Sequence, residues 1–345
     1  PGQAQRGDSP QTLRELNRQH LAAYLASGVT TVLDSAAQLA VAREIREVLA
    51  AENPGPRYLT LGPALTAPGG YAEVDWEGVS TVDEVEVRLD IIQSLGAVGV
   101  KVMIERGYTP LGTSWPLHSP EIRAAIESGA KRRNLPIYVH ATSEDEYRIA
   151  IDMGAHAIMH APISFLWGGK LSDSLIATLS EAGTYVVTTL SLMDAATTGS
   201  HPERLDDPLV QLTVPRVEMA TARDPEADRF AARAAIGYGP RWIPQFLIGV
   251  IAGLVWNERT ILDTVRRSQQ MIRHLHDAGV PIVVGTDTPG TPYFQYNFHG
   301  PTIVREIELI AAAGLTPEEA LAAATRIPAE MVGLGGELGA VEIGK

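Results

Sequence analysis

Two histidines at the ends of neighbouring apolar runs set the first constraint on this chain. In LPIYVHATSEDEYRIAIDMGAHAIMHAP, residues 135–162, the run Pro136–Ala141 carries His140 and the run Ala157–Ala161 carries His160. The intervening SEDEYRIAIDMGA opens acidic and closes on Gly154, the pattern of a helix with a charged first turn and a glycine stop. A strand–helix–strand unit makes its two strands parallel neighbours in one sheet. Both histidines then emerge at the same C-terminal edge. Alternation places Tyr138, His140 and Thr142 on one face and Ile137, Val139 and Ala141 on the other, and the same parity pairs His160 with Ile158. Two imidazoles side by side at strand ends suggest a metal site. A lone strand-end histidine is more often a hydrogen-bonded core or surface residue than a ligand, so the weight comes from what the other strands carry.

The same strand-then-helix pattern runs through the chain. Further strands are expected at Val29–Leu33, Arg57–Leu61, Val98–Ile104, Thr184–Leu190 and Pro281–Asp287. Helices are expected over Ala36–Glu52, Ser80–Leu95, Glu121–Arg133, Leu171–Ala182, Leu262–Ala278 and Thr302–Ala313, with a last helical segment in LTPEEALAAATRIPAEMVGL. Alternating βα units close most naturally as an eight-stranded barrel, and a single domain suffices for 345 residues. Seven strands leave such a barrel one short. The breaker-rich loops GPALTAPGGY and ERGYTPLGTSWPLHSP follow strands, the side on which a barrel builds its active site. An insertion is expected at about 191–263. Its apolar stretch Trp242–Trp256 is shorter than the roughly 20 residues that span a bilayer. A buried or lid helix is the plain reading of that stretch, and a membrane-surface or subunit contact the alternative.

Charge and composition narrow the function. With 28 basic against 41 acidic residues, the net charge of −13 argues against a polyanionic partner, and no basic run offsets it. Nucleic acid binding is therefore not expected. There is no cysteine, so any metal must be held by His, Asp, Glu or a modified Lys. The lack of cysteine does not fix the compartment, and homo-oligomerisation is left open.

Two more strand ends carry polar groups. Lys101 stands between Val100 and Val102, so it faces the barrel interior if the valines face helices. A buried ammonium is costly unless paired, neutral or modified. A lysine paired with a carboxylate, a modified lysine and a Schiff-base nucleophile are the three options. Asp287 closes PIVVGTD before a Gly/Pro loop. Alone it could cap a helix; beside two histidines it suits a ligand or general base.

These stretches together resemble the metal-dependent amidohydrolase superfamily, in particular its imidazolonepropionase-like and Xaa-Pro/Xaa-Arg dipeptidase branch. The resemblance is carried in order by GVTTVLD, GPALTAPGGY, GVKVMI, YVHA, IMHAP, VVGTDTPG and GLTPEEALAAATRIPAEMVGL. It implies an α/β fold, a TIM-like (β/α)8 barrel over residues 1–335, with 336–345 starting a C-terminal β segment. It implies a hydrolase of amide or peptide C–N bonds using divalent metal, zinc above all, and a small-molecule or dipeptide substrate. His140 and His160 would bind one metal, Lys101 as a carbamate would bridge two, and Asp287 would bind the other and take the proton of the bridging water. Tyr71 stands where the family usually has a histidine, and His299 matches a family His-Gly position that touches substrate or supports the ligands. The first-strand His-x-His of the family is not in this chain; His274-x-His276 falls in an expected helix. Both ends thus look cut, with the first strand and the accessory β-sandwich lying outside. A binding-only barrel and a Schiff-base lyase using Lys101 are the competing readings.

Overall fold

The computed structural model describes residues 10–52, 55–73, 76–107, 114–163, 169–224, 257–289 and 296–343. Seven short strands run through them: β1 (Thr31–Asp34), β2 (Arg57–Thr60), β3 (Val100–Met103), β4 (Ile137–His140), β5 (Ala157–Met159), β6 (Tyr185–Val187) and β7 (Ile282–Val283). All pairings are parallel, β1 with β2 and then β3 through β7 in chain order. The residues just past β2 join the two sheets. Val98 N–H donates to the Thr60 carbonyl (3.0 Å), Leu65 N–H to Lys101 (2.9 Å), and Met103 N–H to Leu65 (2.9 Å). One wall of seven strands in sequential order results, the arrangement of a TIM-like barrel. Among the described residues no ladder closes β7 onto β1.

The alternation of each strand sorts side chains into two cores on either side of this wall. Outward go Val100, Val102, Val139, Ile158, Val186 and Ile282, packed against the helices. Those helices include α3 (Val82–Ser94), α4 (Pro120–Arg132), α5 (Glu144–Asp152) and α6 (Asp173–Ala182), while α1 (Pro10–Ala26) and α2 (Leu39–Glu52) pack on each other through Leu21, Ile45 and Val48. Inward go Leu61, Tyr138, Ala157, Met159, Val187 and Val283, which meet Met331. The His156 Nε2 lies 2.7 Å from the Met331 carbonyl, so the C-terminal helix bearing Met331 plugs the end of the barrel where the strands begin. Local chemistry sets the helix limits: Thr81 forms a capping box with Glu84, and Gly183 ends α6 in the left-handed region at φ 64°.

After β6 the chain enters α7 (Leu190–Ala195), α8 (Pro208–Thr213) and α9 (Arg216–Ala222), then α10 (Glu258–Asp277). The C-terminal helices are α11 (Thr302–Ala312), α12 (Pro317–Ala324) and α13 (Arg326–Met331). Buried Glu306 of α11 accepts from the Thr188 hydroxyl and from the backbone N–H groups of Leu190 (2.9 Å) and Ser191 (2.5 Å). Arg305 clamps Asp194 with two hydrogen bonds, at 2.8 and 3.0 Å. These contacts end β6 at Val187 and start a helix at Leu190, where the sequence pattern predicts strand as far as Leu190. Likewise, Asn257 caps Thr260 and begins α10 a turn before Leu262. Residues 336–343 form turns rather than a strand. The apolar stretch Trp242–Trp256 lies outside the described residues. Among those described, no helix is long and apolar enough to cross a membrane.

Ile126 of α4 is fully buried in the outer core. Ile126→Ala is expected to cost about 2–5 kcal/mol and Ile126→Val about 0.5–1.5 kcal/mol in denaturant unfolding. Equal, negligible losses would show that the α3–α4 layer does not pack as described.

Candidate metal centre at the strand C-termini

The rings of His140 and His160 have centroids 4.5 Å apart, inclined at 66°. Their route to this contact differs from simple alternation. His140 pairs with Met159 across β4 and β5, and Met159, not His160, has the inward parity. Ile158, expected beside His160, packs among the helices. His160 reaches the interior because its backbone is left-handed, φ 79°. That conformation costs a non-glycine residue about 1–3 kcal/mol and needs support from its surroundings. Tyr147 supplies some, donating its hydroxyl to the His160 carbonyl at 2.6 Å, and Ala161 N–H donates to Thr188 at 3.0 Å. Thr189 (φ 62°) and Asp287 (φ 52°), beyond β6 and β7, share the same turn of the backbone. At His160 this turn brings inward a side chain that alternation would send outward, whereas Thr189 and Asp287 continue the inward parity of Val187 and Val283.

Lys101 is 3% exposed, and its neighbours Val100 and Val102 face the helices, so it points into the barrel. Burial brings its ammonium down to about 7, against the opposing pull of the Asp287 carboxylate. Burial also holds His140 and His160 down at about 3, with the Lys101 charge adding to the effect on both. His140 Nε2 lies 3.2 Å from Oε2 of Glu105. With the ring held neutral, this contact is a hydrogen bond and not an ion pair. Glu105 is itself buried, its carboxyl pushed up by desolvation, and it accepts from Thr142 Oγ1 (2.8 Å) and Gly107 N–H (2.6 Å). His160 Nδ1 lies 2.9 Å from Thr189 Oγ1.

Tyr71 stacks on His140, centroids 4.8 Å apart at 31°, and meets Trp115 edge-on at 5.1 Å. Asp287 stands exposed at the rim. Asn297 donates to the carbonyls of Thr286 (2.8 Å) and Asp287 (3.1 Å) and so braces that turn. His299 is set apart. It is buried against His20 (4.1 Å between centroids) and is linked to the rim through Tyr24, whose hydroxyl lies 2.8 Å from His299 Nδ1 and 2.9 Å from Thr288 Oγ1. The fold thus gathers Lys101, His140, His160, Asp287 and Tyr71, and leaves His299 one residue removed. Sequence reasoning passed over Glu105, Thr189 and Asn297. Glu105 and Thr189 carry a signal, because they continue the inward parity of Met103 and Val187; Asn297 carries none.

Among the described residues no three His, Asp or Glu side chains converge closely enough to hold an ion. The histidine pair nevertheless fits one: each ring is neutral and has one nitrogen engaged, by Glu105 or Thr189. His140 Nδ1 and His160 Nε2 are the nitrogens that these contacts leave over.

A model described as "Amidohydrolase family" matches residues 2–345. The chain belongs to the amidohydrolase family. Its members hydrolyse amide and peptide C–N bonds and generally use divalent metal, so this chain is a hydrolase of that class. Among solved structures, it is similar to a Xaa-Pro dipeptidase with bound methionine in the active site, at 21% identity and TM-score 0.68, covering 99% of this chain and 74% of that one. It is similar to a prolidase complexed with N-methylphosphonate-L-proline, at 20% identity and TM-score 0.62, covering 94% and 69%. It is also similar to an ochratoxinase of A. niger, at 18% identity and TM-score 0.64, covering 97% and 68%. These likenesses establish the TIM-like fold. No curated protein matches the sequence significantly.

Buried histidines leave a pH signature. His118, 3% exposed, is held down at about 4 by burial, below its ordinary 6.5. The folded state therefore keeps it neutral, and unfolding takes up a proton below the unfolded value. Its contribution to stability is full above about 6.5 and is lost as the pH falls through that value towards 4. The Tm of His118→Gln should accordingly drop less between pH 7 and pH 5 than that of the wild type. Parallel Tm-against-pH curves would contradict a buried neutral His118.

Proposed function

We propose that this amidohydrolase cleaves small peptide-like amides, with His140 and His160 holding a divalent ion, zinc, and Lys101 acting as a carbamate ligand. The observation that carries the reading is the pair of buried neutral imidazoles, each with one nitrogen engaged, beside a lysine brought down to about 7. Near that value a substantial fraction of the amine is neutral. A neutral amine can add CO₂ and lose a proton, turning a buried cation into a carboxylate donor. The bound ion would lower the pKa of a water and polarise the scissile carbonyl. Asp287, at the rim with its turn braced by Asn297, would take the proton from the attacking water and return it to the departing amine nitrogen. Tyr71 and Trp115 form an aromatic wall beside His140 against which a substrate side chain or ring would lie. The dipeptide class is suggested by the names of the Xaa-Pro dipeptidase and prolidase relatives.

A second reading is favoured by the lack of three converging ligands among the described residues: a barrel that binds such amides without cleaving them. Turnover of an Xaa-Pro dipeptide panel by the metal-loaded protein separates the two. In the first reading, His140→Ala and His160→Ala each lower bound metal in elemental analysis; unchanged metal in both variants would remove the site. Asp287→Asn keeps the shape and loses the proton acceptor, so turnover should fall by roughly 10² or more. Near-normal turnover would rule Asp287 out as the base. A Schiff-base role for Lys101 would instead appear as borohydride trapping of substrate on the lysine.

A further inference from the structure

We propose that Glu105 is a positioning residue that sets the tautomer and orientation of His140, so that Nδ1 carries the lone pair offered to the metal. The inference rests on His140 being a ligand. A neutral imidazole has one N–H and one lone pair, and whatever its second nitrogen meets decides which is which. Here Nε2 meets Oε2 of Glu105 at 3.2 Å. Glu105 receives the Gly107 N–H on one oxygen and the Thr142 hydroxyl on the other, at 2.6 and 2.8 Å, and both bonds favour its ionised, accepting form against the desolvation of its burial. His140 then holds its proton on Nε2 and presents the Nδ1 lone pair.

Two features make this a fixed support and not a chance contact. The side chain of Glu105 is fully buried, and it stands two residues past β3 on the same inward parity as Lys101. Its frame is tied by a second buried carboxylate. Glu146 of α5 accepts the backbone N–H groups of Arg106 (2.7 Å), Thr142 (3.0 Å) and Ser143 (2.9 Å). The loop after β3 and the loop after β4 are thus pinned to one group, and Glu105 and His140 lie on the strands that lead into them. On its other side, His140 is covered by the Tyr71 ring. Carboxylate partners of this kind typically change metal affinity by about 10–100-fold.

The test reads the metal site directly. In the metal-free wild type, ¹⁵N imidazole shifts should report the Nε2–H tautomer for His140. Zinc affinity, measured by competition with a chromophoric chelator, should fall about 10–100-fold in Glu105→Ala. Glu105→Gln keeps an acceptor oxygen on the same stem and should lose clearly less. Far-UV circular dichroism and Tm check that each variant is folded, and the wild-type tautomer needs no variant. An Nδ1–H tautomer in the wild type would overturn the proposal. So would wild-type zinc affinity in folded Glu105→Ala while His140→Ala loses the metal. If His140→Ala keeps full zinc affinity, the ligand assignment itself is wrong and the role of Glu105 goes with it.

Discussion

The hydrogen bonds among β3, β4 and β5 put Lys101 opposite Tyr138, Met103 opposite His140 and His140 opposite Met159. That parallel register brings two strand ends level, and each chemical group at the rim inherits its height from it. A slip of one residue in β4 would turn His140 into the helix layer and Val139 into the barrel. The register is specified because both sides of the wall are apolar and differently filled: small and β-branched residues outward, Tyr138 and Met159 inward. Packing and chemistry therefore impose the same solution.

Burial then decides what the groups can do. His140, His160 and Lys101 lie where charge is poorly solvated, and all three are driven towards their neutral forms. Neutral imidazoles are ligands and a neutral amine is a nucleophile towards CO₂, so in the proposed reading the desolvation that makes these residues unusual would also prepare them. The cost is partly met by hydrogen bonds from groups with no chemical role of their own, Thr189 at His160 and Glu105 at His140.

The sequence made the strand–helix order legible because hydrophobic period and glycine stops are local signals. All seven expected strands exist, though shorter than predicted, and Val100 and Val102 flank an inward Lys101 as alternation requires. The left-handed turns at His160, Thr189 and Asp287 were not legible, since no glycine or asparagine marks them. His160 reached its site for a reason the pattern could not supply: parity alone would have sent it outward with Ile158. Asn297 and Tyr24 were equally hidden, because their bonds to the Asp287 turn and to Thr288 depend on long-range docking of a loop and a helix.

The remaining asymmetry of the rim has a physical logic. The histidines and Lys101 sit deep, whereas Asp287 is exposed and held by its backbone, through Asn297, more than by its side chain. Ligands for an ion benefit from rigidity and a dry setting, where each charge–dipole contact is stronger. A group that exchanges protons with water and with a leaving amine must instead reach both. Under the proposed role, fixing φ and ψ of Asp287 while leaving its carboxylate open would meet that requirement: the backbone sets the direction, and the exposed side chain would keep access to the reacting atoms.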